Sequence, residues 1–420
     1  MVIGGGGREH AICWRLALST SVSNVFVTPG NPGCAKVAQI VQPASYTPDG
    51  YLDLALSLAA DLTVVGPEAP LVDGVVDAFE AAGLRIFGPT RAAAQLEGSK
   101  IFSKEFMMRH GIPTARFAAT GDPAEARRAL DEFTYPLVIK ADGLAAGKGV
   151  VIVQDKREAI GTLDAMFAGS LVGAAGSRVV IEEFLTGEEV SFIALCDGES
   201  VLPFEPSQDH KTIFEGDTGP NTGGMGAYSD SRILSAAMRQ RAIESIMVPT
   251  VQGMKAEGTP FKGFLYAGLM MTADGPKTLE FNVRLGDPET QALLHRLEGD
   301  FGELLMEAAS GRLNPKLLAC KPGPSVCVVI AAAGYPGKIR TGDVISGIAE
   351  AEATGAAVFH AGTKQTEQGV VTAGGRVLGV THSGATLPEA IENVYKAVDE
   401  ISFDGMQVRR DIGRKGLARW

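Results

Sequence analysis

Several groups of residues have the types and spacing for chemistry on phosphates. The run Thr278-Leu279-Glu280-Phe281-Asn282-Val283-Arg284-Leu285 alternates polar and apolar side chains. As a strand it would place Thr278, Glu280, Asn282 and Arg284 on one face and the four apolar residues on the other. A carboxylate and an amide oxygen two residues apart can ligate one hard cation, whose remaining positions are commonly filled by nucleotide phosphates. An amphipathic strand with a solvated face would show the same alternation. The acid-rich turn that follows at once, Gly286-Asp287-Pro288-Glu289, weighs against that plainer reading.

The stretch Ile139-Lys140-Ala141-Asp142-Gly143-Leu144-Ala145-Ala146-Gly147-Lys148-Gly149-Val150 has the look of a phosphate loop but breaks the P-loop pattern twice. Gly143 and Gly147 are one residue too close, and Lys148 is followed by Gly149 and not by a hydroxyl residue. Lys140 closes an apolar strand just before this loop, a place where a compact positive charge suits a phosphate. Lys104 sits on a helical pattern, where lysines are usually solvated. A second glycine run, Gly4–Gly7, precedes Arg8-Glu9-His10 and could cradle a phosphate at a helix N-terminus or simply form a tight turn; it does not fit the dinucleotide fingerprint.

Two further stretches carry concentrated polarity. In Val179–Glu189 an apolar strand runs into Glu182 and Glu183, a short hinge with Leu185, and Glu188 and Glu189. Carboxylates beside buried strands need partners, and adenine N6 or ribose hydroxyls would serve, although a hairpin with charged turn residues is equally consistent. Ser207–Lys211, with Asp209 and His210, leads into the glycine-rich segment Asp217–Tyr228, which includes Gly224. Long loops of this kind inside compact domains are usually functional or disordered. Asp209 could hold an amine. His210 by itself reads as a surface histidine.

These residues need elements to position them. Short apolar runs at Met1–Ile3, Val25–Val27, Leu62–Val65 and Leu84–Phe87 alternate with helical patterns at Glu9–Leu18, Leu52–Ala60 and Leu71–Ala82. This predicts an N-terminal α/β domain over 1–98 with an open parallel sheet and ligand loops at its strand ends: Gly4–Gly7, Pro29–Gly33 and Gly66-Pro67-Glu68. A helix over about 98–110, stopped by Gly111 and Pro113, opens a central region reaching to about 310, with a smaller α/β segment inside it over about 114–190. A strand Val326–Ala331, a strand Arg376–Thr381 and a helix Leu387–Ile401 mark 311–420 as a separate mixed α/β unit.

With 420 residues, 45% hydrophobic and 21% charged, the chain reads as an ordinary multidomain globular protein. Its net charge of −11 argues against nucleic acid or an anionic membrane as the main partner. Cys13, Cys34, Cys196, Cys320 and Cys327 form no CxxC pair, which fits a reducing compartment better than a disulfide framework or structural zinc. No run reaches transmembrane length. A cytoplasmic location is expected, and the short Met1-Val2-Ile3 start leaves a removed targeting segment open.

Read in order, Lys104, Lys140 with its loop, the hinge Glu182–Leu185 with Glu189, and Glu280-x-Asn282 resemble the ATP-grasp ligases. Nearly the whole chain is similar to the phosphoribosylamine–glycine ligase (glycinamide ribonucleotide synthetase) family, through GGGGREH, PGNPG, VVGPEAPLV, LEGSK, IKADGLAAGKGV, IEEFLTGEE, SQDHK, DTGPNTGGMGAY, GFLYAGLMM and EFNVRLGDPETQ. The resemblance implies an N-terminal α/β domain, a central ATP-grasp region with a mobile lid, and a C-terminal domain. It implies ATP-dependent ligation of glycine to 5-phosphoribosylamine through glycyl phosphate, an early step of purine synthesis, using Mg²⁺ or Mn²⁺.

By the same resemblance, Lys104, Lys140, Gly143, Gly147, Lys148 and Gly149 would face the triphosphate, Glu182 and the Leu185 backbone the adenine, and Glu189 the ribose. Glu280 and Asn282 would hold the metal, with Arg284 steadying the acyl phosphate and Lys140 assisting. Gly5, Gly6, Asn31 and Glu68 would hold the ribose phosphate, and Asp209, His210 and Gly224 the amine groups. The strand Tyr266–Met271 lacks the additional acid of many ATP-grasp enzymes, which leaves a second metal's ligands open. A monomer rather than an oligomer is expected. An ATP-grasp ligase for another acid–amine pair, or a nucleotide sensor without catalysis, would be the competing readings.

Overall fold

The computed structural model describes residues 1–143 and 149–420. The N-terminal segment carries a five-stranded, wholly parallel sheet. Its spatial order is Gln39–Ile40, Phe26–Pro29, Val2–Gly4, Thr63–Val65, Ile86–Phe87. The chain order reverses between Val2–Gly4 and Thr63–Val65, so the loops after those two strands flank the crevice expected of a doubly wound sheet. The single helix expected over Leu71–Ala82 is instead two helices, Glu68–Val72 and Val75–Ala81. The break falls at Gly74, whose φ of +90° is left-handed and where a Cβ would stand 2.7 Å from the Arg91 guanidinium.

The helix Lys100–Arg109 begins where Ser99 caps it, its hydroxyl accepting from Phe102 N at 3.1 Å. It ends at Gly111 (φ +64°). Next comes a small antiparallel sheet, in the order Phe117–Thr120, Val179–Glu183, Leu137–Ala141, Val150–Val153. Helices Pro123–Ala129 and Lys156–Phe167 cover it, enclosing an apolar core of its own that includes Leu137, Ile139, Leu163, Met166 and Ile181.

The largest sheet is ten-stranded and antiparallel. Its main path runs Gly275–Asn282, Lys262–Thr272, Glu188–Asp197, Ser207–Asp209, Gly226–Ser229, Ser325–Ala331, Arg376–Ser383, Ala357–His360. The sheet does not stop where the C-terminal segment begins, because Ser325–Ala331 hydrogen-bonds directly to Gly226–Ser229. The helix Leu387–Glu400 packs on the C-terminal strands, burying Leu387, Ala390, Val394 and Val398. The five cysteines are all free. Among the described residues no helix is long and apolar enough to cross a membrane.

Candidate functional site

The small sheet, the edge of the large sheet and the helix Lys100–Arg109 converge on a buried ionic cluster. Glu182 is 2% exposed and sits on the strand Val179–Glu183, with both Lys104 and Lys140 on one of its oxygens. Lys104 Nζ lies 3.1 Å and Lys140 Nζ 3.0 Å from Oε2. Oε1 is buried with no hydrogen-bond partner among the described residues. Lys104 also donates to Thr114 Oγ1 at 2.6 Å, and Lys140 donates to the Leu279 carbonyl at 3.0 Å. Burial draws the Lys104 ammonium down from its ordinary 10.5 to about 8, against the pull of Glu182. Lys104 is therefore not the solvated helix lysine that its setting suggested. Beside the cluster, Ala115, Leu185 and Met270 form an apolar patch with Leu279 packed against it.

Glu280 and Asn282 lie on the strand Gly275–Asn282 as expected, but the alternation is interrupted. Gly268 pairs with Glu280 while Leu269 pairs with Thr278, so Leu279 is the extra residue of a bulge. The bulge turns the Leu279 carbonyl to Lys140. Among the described residues the Glu280 side chain makes no hydrogen bond and no ion pair. Burial disfavours its charge, but Lys211, Lys140, Lys100 and Arg284 outweigh that and hold its carboxyl below the usual range. Asn282 Oδ1 accepts from Arg284 Nη2 at 3.1 Å. Arg284 is gripped from behind by Glu97 (2.9 Å) and lies 3.4 Å from Glu68, which ties the end of the strand Gly275–Asn282 to the loop Gly66-Pro67-Glu68. A carboxylate with no partner among the described residues, beside an amide oxygen, fits a hard divalent cation that takes its other ligands from phosphate and water.

The loop base is also anchored. Asp142 Oδ1 accepts from Ser99 Oγ at 2.9 Å and Ile101 N at 3.1 Å, and Lys100 Nζ donates to the Gly143 carbonyl at 3.0 Å. Gly143 has φ +117°. Gly147 and Lys148 lie outside the described residues. Gly149 closes the loop through its carbonyl, which accepts from Ala141 N at 2.8 Å.

On the other side of Glu280, Glu189 pairs with Lys211. Together with Ser191, Asp209, Tyr266 and Gly268 they line a small recess. Burial and the neighbouring Glu289 raise the Asp209 carboxyl to about 8. Glu289 is itself held by the hydroxyls of Tyr266 (2.8 Å) and Ser191 (2.9 Å). Gly224 (φ +109°) lets the backbone close onto Asp209, since a Cβ there would stand 2.8 Å from Oδ1 and 2.6 Å from Pro288. His210 corrects the surface expectation: it is 2% exposed, with Nδ1 against the Gly226 carbonyl and Nε2 accepting from Gly413 N, both at 3.3 Å. Burial lowers its imidazole to about 3, so the ring is neutral and both nitrogens face backbone rather than the recess.

In the N-terminal loops, Gly6 N donates to Glu9 Oε2 at 2.6 Å, and a Cβ on Gly5 would stand 2.7 Å from the Gly30 carbonyl. Close packing therefore accounts for these glycines whether or not a phosphate lies above them. Asn31 is committed to main chain: Nδ2 donates to Gly5 O (3.0 Å) and His360 O (2.8 Å), and Oδ1 accepts from Gly33 N (3.0 Å) and Cys34 N (3.1 Å). Its place is to shape the loop. Lys100, Asp142, Glu97 and Lys211 were not picked out by pattern. LEGSK and SQDHK contain three of them, and only the fold brings Lys100 and Lys211 near Glu280, Glu97 to Arg284 and Asp142 to Ser99.

Residues 1–97, 98–290 and 325–415 match, respectively, the N domain, the ATP-grasp (A) domain and the C domain of phosphoribosylglycinamide synthetase. The chain belongs to the phosphoribosylglycinamide synthetase family. It is 50% identical over 420 residues to a phosphoribosylamine–glycine ligase of Ralstonia nicotianae, covering 100% of this chain and 99% of that one. It is 51% identical over 423 residues to the ligase of Escherichia coli K12, with the same coverage. The crystal structure of the Thermotoga maritima phosphoribosylamine–glycine ligase superposes with a TM-score of 0.85 at 34% identity over 98% of both chains. A biotin carboxylase from Campylobacter jejuni shares the fold alone, with a TM-score of 0.75 at 14% identity, covering 99% of this chain and 94% of that one.

Proposed function

We propose that the cleft around Lys104, Lys140, Glu182 and Glu280 is where this enzyme uses ATP to join glycine to 5-phosphoribosylamine. The reaction is the ATP-dependent ligation that gives glycinamide ribonucleotide, ADP and phosphate in purine biosynthesis. One observation carries the placement: Glu280 is a carboxylate held ionised by four surrounding cations yet bonded to none of them among the described residues. Such a group is available to a cation carried by a triphosphate.

Around it the subsites follow from chemistry. The free Oε1 of Glu182 would accept from adenine N6, over the apolar patch of Leu185, Met270 and Leu279. Glu189 would take ribose hydroxyls once Lys211 yields part of its pairing. Lys104 and Lys140 would neutralise phosphate charge together with the loop from Gly143 to Gly149, whose members Gly147 and Lys148 are assigned from sequence alone. Glu280 and Asn282 would hold a divalent cation, Mg²⁺ or Mn²⁺, which supplies charge neutralisation at the phosphates.

A glycine carboxylate oxygen attacks the γ-phosphorus and ADP leaves, forming glycyl phosphate. The phosphoribosylamine nitrogen then attacks the carbonyl carbon and phosphate leaves. Arg284, braced by Glu97 and Glu68, would stabilise the oxygen charge of the acyl phosphate. Asp209, with its carboxyl near 8, is suited to hold an amine and to accept the proton released when that amine acylates. Gly5, Gly6 and Glu68 are read as the edge of the ribose phosphate subsite.

The test is ADP release with ATP, freshly prepared phosphoribosylamine and glycine labelled with ¹⁸O in its carboxylate. One label per turnover is expected in inorganic phosphate, and ADP release should vanish without either glycine or the amine. Unlabelled phosphate during verified turnover rules out glycyl phosphate. Equal turnover with other amino acids rules out glycine as the specific acid.

A further inference from the structure

Between Lys211 and Thr222 the chain leaves the site as a hairpin, Thr212–Phe214 paired with Thr218–Asn221. Its two ends are tied at the site. Thr222 N and Oγ1 donate to the Lys211 carbonyl at 2.7 and 2.8 Å, and Gly224 N donates to Thr222 Oγ1 at 2.9 Å. Lys211 is thus the first residue below the hairpin, and its ammonium pairs with Glu189. The hairpin is largely exposed: Thr218–Asn221 face solvent and Phe214 is 57% exposed. A two-stranded hairpin of this kind is marginal without support.

Support comes from Arg409, just beyond the short strand Gln407–Val408 and only 1% exposed on its side chain. Its guanidinium grips the hairpin at two levels. At the base, Nη1 donates to both the carbonyl and the hydroxyl of Thr212 at 3.0 Å. At the tip, Nη2 donates to Asp217 Oδ1 at 3.0 Å. Asp411 neutralises it from behind, with Nε donating to Oδ1 at 2.8 Å and Nη2 to Oδ2 at 2.7 Å. Asp411 Oδ2 also accepts from Gly216 N at 2.9 Å, and Arg410 N donates to Glu215 Oε1 at 2.9 Å. Asp217 holds a left-handed backbone (φ +54°), a conformation that persists when surrounding contacts hold it.

We propose that Arg409 is a positioning residue for the ligation: by fixing the hairpin at Thr212 and Asp217 it sets Lys211 against Glu189. The planar fork matters, because a lysine has one charged point and cannot span Thr212, Asp217 and Asp411 at once. The inference rests on the reading of Glu189, the partner of Lys211, as part of the nucleotide site.

The experiment is a double-mutant cycle on kcat/KM for ATP in the full-length protein, with thermal melts alongside. Asp217→Asn is the mild perturbation: its side chain is 59% exposed, and Arg409 keeps Asp411. Arg409→Lys is the stronger one. Each should lower kcat/KM roughly tenfold, the scale expected for a small misplacement of a charged group. Asp217→Asn should do so with an unchanged melting temperature. Lys211→Met should cost at least as much. Adding Asp217→Asn to Lys211→Met should then cost less than twofold more, because both act through the same ammonium. Full multiplication of the two losses overturns the proposal, as does wild-type kinetics in both Asp217→Asn and Arg409→Lys. Wild-type kinetics in Lys211→Met would overturn the reading of Lys211 itself, while the absence of glycine-dependent ADP release from the unmodified protein would show failure of the proposed reaction.

Discussion

Replacing Glu182 by Gln tests the ionic cluster at its centre. The substitution keeps the shape and removes the one anion between two ammoniums that lie 3.1 and 3.0 Å from Oε2. All three side chains are buried, at 2–8% exposure, so water cannot take over the anion's part. Removing one partner from a buried ionic arrangement costs about 3–5 kcal/mol. The Lys104 ammonium, already lowered from 10.5 to about 8, represents about 3 kcal/mol against its charged form even with Glu182 present. Because the folded value lies below the unfolded one, the unfolded chain binds more protons between about 8 and 10.5. The strain of burying the charged form is therefore full below pH 8 and is relieved as pH rises through that window. In Glu182→Gln the deficit relative to wild type should accordingly be largest near pH 7, on the order of 3 kcal/mol. It should shrink by pH 9.5, where Lys104 is mostly neutral in both proteins. Urea unfolding at the two pH values, followed by circular dichroism, measures this directly. A variant as stable as wild type at pH 7, or a deficit unchanged at pH 9.5, would refute the claim that Glu182 compensates buried positive charge.

Asp209→Asn should raise thermal stability at pH 8 while lowering kcat/KM for the amine substrate. The raised carboxyl means that the folded state binds more protons than the unfolded one between about 4 and 8, so wild type loses stability across that window and the amide does not; a melting-temperature difference that is flat from pH 5 to 8 contradicts it. Glu280→Gln combined with Asn282→Ala should abolish turnover and leave the circular dichroism spectrum and melting curve close to wild type, since among the described residues the Glu280 side chain makes no bond and Asn282 gives up only its contact with Arg284, which keeps Glu97; turnover surviving in saturating Mg²⁺ would remove these two residues from the cation site.

The N-terminal sheet and the polar alternation around Glu280 could be read from sequence because both are local: strand period, helix period and turn residues lie within a few positions of one another. The site electrostatics could not be read in the same way. Lys104 reads as one more helix lysine because its partner Glu182 is far along the chain, on a strand of the small sheet. The neutral, buried state of His210 depends on Gly413, which no neighbouring residue announces. The bulge at Leu279 shows the limit within a single strand, because strict alternation predicts which side chains share a face but not the extra residue that turns a carbonyl toward Lys140. The glycines of Gly4–Gly7 were conspicuous in sequence, but their count did not reveal that Glu9 and Gly30 fill the space a Cβ would need.

The pairing of Gly226–Ser229 with Ser325–Ala331 also constrains how the protein is made. As the chain leaves the ribosome, the edge of the central sheet must wait for its neighbour until residues 230–324 have been added. At typical elongation rates that interval is roughly 5–20 s. Throughout it Gly226–Ser229 presents unpaired backbone groups, the kind of edge that recruits strands from other chains. The nascent enzyme thus passes through a stage at which its central domain is nearly complete but open on one side, and early termination before Ser325 would leave that side permanently exposed. Truncated chains ending in this interval should accumulate as aggregates rather than as soluble fragments.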